Sequence, residues 1–384
     1  MKKAKLVATI LAIVFALGML AGCGSDSAQP GGSGGGGGSA PAGGGGGGGS
    51  TPAGGGGTAA PTTGRDTAAP ADTGQTFVLR IGTGTGGRHH QIIWMEGFKE
   101  ALEEATNGRI EVQLFPAGQL GTMAELVQGL VDGTVDGGVF PAGYFDIAVG
   151  AAGVIDLAYL FDDANQMWRI LFENDTLYQE LFETNGVIVG TWLHNFDRQL
   201  ISTSPIRSLD DIRGKVLWSL PSRTIHEEIR LLGGVASGLD TSEVAPGVQN
   251  GTLDGSVQDI SLYFTQRLDQ AGATYILNKT TGALLSVFTM SQAWWDRLPT
   301  ELRTTVIETA ERIALEVHLP YVNQVGGTAW STMLADGLEV HEMSAEFEAA
   351  YRAALAPQVD WYLNMEPSAR PIYDEFQRLI AADR

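Results

Sequence analysis

From Phe77 onward the apolar positions fall into two rhythms that take turns along the chain. Phe77 to Ile81 is short, alternating and rich in strand formers, so it predicts a strand. From His90 to Thr106, Trp94, Phe98, Ala101 and Leu102 stand at helical spacing, and Asn107-Gly108 stops the run. Ile110 to Phe115 predicts a second strand and Val135 to Phe140 a third. Between them Met123 to Asp132 predicts a short helix with Leu126 and Leu130 on one face. Strand, helix, strand, helix, strand requires crossover connections, and so a parallel sheet.

The two rhythms continue. Asn165 to Thr184 predicts a helix that puts Met167, Trp168, Leu171 and Phe172 on one side. Strands are expected at Val187 to Trp192, Ile201 to Thr203, Val216 to Trp218, around Gly255-Ser256-Val257, and at Ala283 to Met290. Helices are expected at Thr224 to Leu232 and Ser242 to Asn250. A long helix starts at Pro299-Thr300-Glu301 and runs to about His318, with Leu302, Val306, Ile307, Ala310, Ile313 and Ala314 as its buried stripe. Phe347 to Leu363 and Pro371 to Ala381 are amphipathic helices. No repeat of 20–50 residues is evident, which argues against a solenoid.

The front of the chain follows other rules. Lys2, Lys3 and Lys5 precede an apolar run from Leu6 to Leu20, and Leu20-Ala21-Gly22-Cys23 ends it with small residues before the only cysteine. This has the form of a secretory signal over residues 1–22, too short for a stable spanning helix. A lone cysteine cannot pair within its own chain, so Cys23 needs another role. The tetrad resembles the bacterial lipobox, which implies a lipidated Cys23 and a lipid-anchored, extracytoplasmic protein. Of the 51 residues from Gly24 to Gly74, 21 are Gly, so no apolar face can form and the segment is a flexible tether. Its random-coil span is about 40 Å.

About 310 residues remain from Gln75, enough for two lobes with real cores. They carry 20 basic and 41 acidic residues, the whole chain having 24 and 44. A net charge of −21 on this part argues against nucleic acid and against direct contact with an anionic bilayer. Gly82-x-Gly84-x-x-Gly87 formally matches a dinucleotide motif, but the second strand ends Leu114-Phe115-Pro116-Ala117 without the acid that motif needs. The better reading is a glycine turn that brings backbone N–H groups and a helix N-terminus to a ligand, with no cofactor. His89 and His90 are adjacent, and adjacent residues in a turn rarely converge on a metal, so none is expected. No Gly-x-Ser-x-Gly, His-Glu-x-x-His or Walker loop supports catalysis.

Five phrases in order carry a resemblance. They are Gly108-Arg109-Ile110-Glu111-Val112-Gln113-Leu114-Phe115-Pro116 with Gly118-Gln119-Leu120-Gly121; Gln128 to Asp136; Ser208-Leu209-Asp210-Asp211-Ile212-Arg213-Gly214-Lys215; Gly251-Thr252-Leu253-Asp254-Gly255; and Trp295 to Arg303. Together they resemble the DctP-type solute receptors of TRAP (tripartite ATP-independent periplasmic) transporters, over about Thr76 to Arg384. The resemblance implies an α/β, two-lobe periplasmic-binding-protein-like fold of type II, with a cleft between the lobes and long C-terminal helices. Lobe I would take residues 77–195 and 284–322, and lobe II residues 196–283 and 323–384. It also implies capture of a small organic solute, an organic acid by preference, and delivery to the membrane subunits of a TRAP permease driven by an ion gradient. A ligand sensor for a signalling receptor, or an exported enzyme, are the alternatives.

Where relatives carry an Arg that clamps the ligand carboxylate, this chain has Trp218. Trp218 is then either core or a flat face for an aromatic, heterocyclic or cationic ligand. Arg223, five residues on, is a candidate to compensate, or a surface Arg at a helix start. Arg198 matches a second family Arg near the ligand, or else pairs with Asp197 or another acid. Gly84, Arg88 and His90 at the first strand's mouth, Tyr144 after the third strand, and Gln258 after Asp254-Gly255 complete the candidate ligand contacts.

Overall fold

The computed structural model describes residues 74–384 except 175 and 279–280. The signal segment, Cys23 and almost all of the tether lie outside the described residues. Among the described residues the strands are β1 Phe77–Gly82, β2 Ile110–Phe115, β3 Gly137–Pro141, β4 Val187–Leu193, β5 Arg198–Ser202, β6 Val216–Trp218, β7 Val235–Ser237, β8 Gly255–Asp259, β9 Tyr275–Leu277, β10 Ser286–Ser291 and β11 Glu339–His341. They form two sheets, in the orders β2-β1-β3-β10-β4 and β11-β9-β5-β8-β6-β7.

The expected crossovers are present: β1 runs parallel to both β2 and β3. The strand that each sheet receives from the other is the antiparallel one. β10 enters the first sheet against β3 and β4, and β5 enters the second against β8 and β9. The two connecting segments run side by side. Asp197 bridges Ala283, Arg198 N–H donates to the Gly282 carbonyl at 2.9 Å, and Leu284 N–H to the Phe196 carbonyl at 3.0 Å. A third connection is helical. Helix α1 is His90–Ala105, α2 Met123–Val131, α3 Arg223–Leu231, α4 Ile260–Gln266, α5 Thr300–Ile313 and α6 Leu319–Ala335. Helix α5 packs on α1 and β4, a π-helical turn over Ala314–His318 continues it, and α6 then packs on α4.

The apolar stripe of α1 is buried as its spacing requires. Trp94 stacks on Phe98 at 4.7 Å between centroids, and both rings meet Phe288 of β10. The predicted single helix from Asn165 to Thr184 is two helices, Ala164–Glu173 and Thr176–Thr184, because Asn174 leaves helical backbone angles at φ −126°. The run from Phe347 to Leu363 is likewise two, Ala345–Leu355 and Gln358–Met365, parted at Pro357, which has no N–H to give. The last helix, Arg370–Asp383, packs on Ala164–Glu173.

The family phrase Gly251-Thr252-Leu253-Asp254-Gly255 has plain structural causes at two of its residues. Asp254 accepts from the Val216 N–H at 2.8 Å and so fastens β6 beside the turn that opens β8. At Gly255 a Cβ would stand 2.1 Å from the Ile201 carbonyl oxygen of the facing strand, so only glycine lets β5 and β8 close. Gly255→Ala is expected to cost about 1–3 kcal/mol through this backbone clash. Denaturant unfolding checks it, and an unchanged midpoint would contradict the packing argument.

Candidate functional site

Between the two sheets lies a narrow cavity that is partly open to solvent. The first-sheet side contributes Thr85, His89, Met123, Pro141 and Tyr144. Trp218, Leu220, Thr241, Val257, Gln258, Asp259 and Leu262 line the other side, with Asn195 and Leu284 from the paired connections. Trp218 ends β6 and Gln258 lies near the end of β8, so the strand ends carry the site, as in open α/β sheets generally. The wall is apolar, with polar atoms at a few places.

Those polar atoms are held in distinct ways. Gln258 is 1% exposed, and neither its Nε2 nor its Oε1 has a hydrogen-bond partner among the described residues. Asp259 caps α4, its Oδ1 accepting from the N–H groups of Ser261 and Leu262. Trp218 Nε1 donates to the Leu239 carbonyl at 2.8 Å, which fixes its ring. Tyr144 Oη and Thr241 Oγ1, 3.2 Å apart, join the two sides directly. Burial pushes the His89 imidazole down to about 4, against the pull of the Asp259 charge, so it is neutral at pH 7. Neither Lys nor Arg lines the cavity.

An unpartnered buried amide costs the empty protein its hydration. Gln258→Leu keeps the shape roughly and removes both orphan atoms. It is expected to raise the stability of the solute-free protein by about 1–3 kcal/mol. Urea unfolding of the two proteins compares them, and a destabilised variant would contradict this account.

Of the residues expected from sequence, Trp218, Gln258 and Tyr144 line the cavity. Gly84 and Arg88 belong to a groove at its mouth, formed by the glycine turn together with Thr241, Ser242, Leu262, Thr265 and Gln266. Three expectations need correction. Arg198 is 1% exposed and turns away from the cavity into a pair of acids. Its NH2 group lies 2.9 Å from Glu228 Oε2, and its NH1 group 3.6 Å from Asp156 Oδ1. The pairing alternative therefore holds, though the partner is not Asp197. Arg223 is spent on Asp146, at 2.8 Å, and on the Gly150 carbonyl at 2.7 Å. His90 faces the π-turn instead, with Nδ1 2.9 Å from His318 Nε2. Burial holds both of these rings well below the usual histidine range.

Among the described residues no group of three or more His, Cys, Asp or Glu could hold a metal ion. His89, Asn195 and Asp259 are cavity residues absent from the sequence-based set. Asp259 was hidden because it also caps a helix, which is the ordinary reason for an Asp at that place.

Comparison with known proteins settles the kind of protein. A family model described as bacterial extracellular solute-binding protein, family 7 (DctP), matches residues 81–365. The chain belongs to this family. Similar curated proteins include the C4-dicarboxylate-binding periplasmic protein DctP of Rhodobacter capsulatus, 26% identical over 68% of this chain and 79% of that one. The sialic acid-binding periplasmic protein SiaP of Vibrio cholerae is 23% identical over 67% of this chain and 79% of that one. Among solved structures, a TRAP periplasmic solute-binding protein from Chromohalobacter salexigens with bound D-glucuronate has TM-score 0.74 and 21% identity, covering 78% of this chain and 99% of that one. One from Desulfovibrio salexigens with bound orotic acid has TM-score 0.75 and 20% identity, covering 80% and 99%. The DctP-family chain is thus a two-lobe α/β solute-binding protein, from a family of solute receptors. Among the described residues no helix is long and apolar enough to cross a membrane.

Proposed function

We propose that this DctP-family receptor takes a small organic solute into the cavity between its sheets, closes on it by a hinge motion, and hands it to the membrane subunits of a TRAP permease. The observation that carries this is a cavity walled from both sheets and joined across by Tyr144 and Thr241, in which the Gln258 amide has no protein partner. The hinge is the pair of connections at Asn195–Asp197 and Gly282–Leu284, with the helical connection through the π-turn as a third tie. On this reading the lobes are residues 77–195 with 284–322 and 196–283 with 323–384, the last helix returning to the first lobe. An organic acid is the solute class that the named ligands of the relatives support. Lipidation at Cys23 and the glycine tether would hold the receptor at the outer face of a membrane, as the Leu20-Ala21-Gly22-Cys23 sequence supports.

A thermal-shift panel of small organic solutes, followed by calorimetry, tests the proposal. A solute at 100 times its Kd is expected to stabilise the protein by about 2.7 kcal/mol, with one site per chain. Turnover of a bound solute in place of stoichiometric retention would sink it.

A further inference from the structure

Resting on the receptor reading, the polar atoms of the cavity say what kind of face the solute turns to its second-sheet wall. Gln258 offers there the two N–H donors of Nε2 and the acceptor Oε1, both atoms buried and unpartnered among the described residues. Asp259 offers an acceptor, because only its Oδ1 is used in capping α4 and its Oδ2 has no partner among the described residues. Asn195 offers a donor, its Oδ1 being taken by the Phe196 N–H at 2.9 Å. His89 offers another from the facing, first-sheet side: its Nδ1 accepts from the Gln91 N–H at 3.4 Å, which leaves the proton of the neutral ring on Nε2. The cavity therefore presents both donors and acceptors, with no Lys or Arg among its lining residues.

A carboxylate only accepts. Placed at this wall it would satisfy the Gln258 and Asn195 donors but would lie against Gln258 Oε1 and the like charge of Asp259. A guanidinium could outweigh that, but Arg198 and Arg223 are held by Glu228, Asp156 and Asp146. An N–H group satisfies the acceptors and strands the donors. A hydroxyl both gives and takes, so adjacent hydroxyls can satisfy the whole set. Trp218, its ring fixed through Leu239, supplies a flat apolar surface beside them for the C–H face of a saturated ring or chain.

We infer that the bound solute turns a hydroxyl-bearing, uncharged face to Trp218, Gln258 and Asp259, and that any carboxylate it carries lies away from this wall. A C4-dicarboxylate without hydroxyls, such as succinate or fumarate, is excluded by the same reasoning.

The test is calorimetry of the purified protein with two panels: hexoses, hexuronates and linear polyols in one, succinate and fumarate in the other. At least one hydroxylated solute is expected to bind tenfold or more tighter than either dicarboxylate. Gln258→Leu is expected to weaken that solute at least tenfold while the solute-free unfolding midpoint does not fall. Asp259→Asn, which retains a helix cap, is expected to narrow the gap to succinate. Binding of succinate or fumarate as tight as any hydroxylated solute overturns the inference and leaves the receptor reading standing. Unchanged binding of the hydroxylated solute by Gln258→Leu does the same. Retention of no solute from either panel overturns the inference and leaves the receptor reading to the broader solute panel.

Discussion

Arg198→Ala is expected to cost about 3–5 kcal/mol of stability, with or without solute. Arg198, Asp156 and Glu228 are each at most 2% exposed, so the substitution leaves two carboxyl groups buried without their cation. Thr281 donates to Glu228, and the Asp156 carbonyl accepts from Arg198 NH2 at 3.1 Å, so the guanidinium also closes a hydrogen-bonded network. Burial already pushes the Asp156 carboxyl up to about 6 against the pull of Arg198. Without the guanidinium it rises further. A carboxyl raised in the folded state costs stability above its pKa, and the cost is relieved as pH falls. The deficit of Arg198→Ala relative to the wild type is therefore expected to shrink from pH 7.5 to pH 5. Urea unfolding at both values measures it. A variant with the wild-type midpoint that has lost solute binding would show that Arg198 is a ligand anchor after all.

Acid is expected to destabilise the wild type well before its carboxylates titrate in bulk. His89, His90, His194 and His318 are all buried, and burial lowers every one of their pKa values, His89 and His194 to about 4. Between about 6.5 and 4 the unfolded chain takes up protons that the folded protein refuses, so stability falls as pH falls. At 1.36 kcal/mol per pKa unit, His89 and His194 each account for about 3 kcal/mol across that window. Asp156 and Asp197 act in the other direction, but they are two groups against five, since burial lowers His226 as well. Unfolding midpoints at pH 7.5, 5.5 and 4.5 give the slope. His194→Gln, which can keep the hydrogen bond to Asn165 seen at 3.0 Å, is expected to flatten it. A level profile over this range would mean that the rings are hydrated and free to protonate.

What could be read in the sequence followed from local rules. Alternation at Phe77 to Ile81 and helical spacing at Trp94, Phe98 and Leu102 survive folding, because each is set by one buried face. Strands β7, β9 and β11, of three residues each, were not expected from the sequence. The antiparallel entry of β10 and β5 is likewise invisible along the chain, since it arises where the chain changes sheets. At the site, Trp218, Gln258 and Tyr144 were reachable because ordered family phrases lead to them. The guanidinium groups were not. Whether an Arg faces a ligand depends on acids that come near only after folding, and Glu228 and Asp146 lie 30 and 77 residues from Arg198 and Arg223.

The exchange of strands also constrains when the molecule can take shape. The first sheet holds β10 between β3 and β4, so residues up to 193 cannot complete it; it waits for Ser286–Ser291. The second sheet waits in turn for β11 at Glu339–His341, its edge. A growing chain therefore cannot finish one half and add the other, as successive domains do during synthesis. Until some three quarters of the sequence is present, β3 and β4 lack the strand that joins them. Fragments cut at either connection are expected to stay unfolded alone and to regain structure only when mixed. The long incomplete interval leaves apolar strands open to other chains, which is a reason for such a protein to be held unfolded until it is whole.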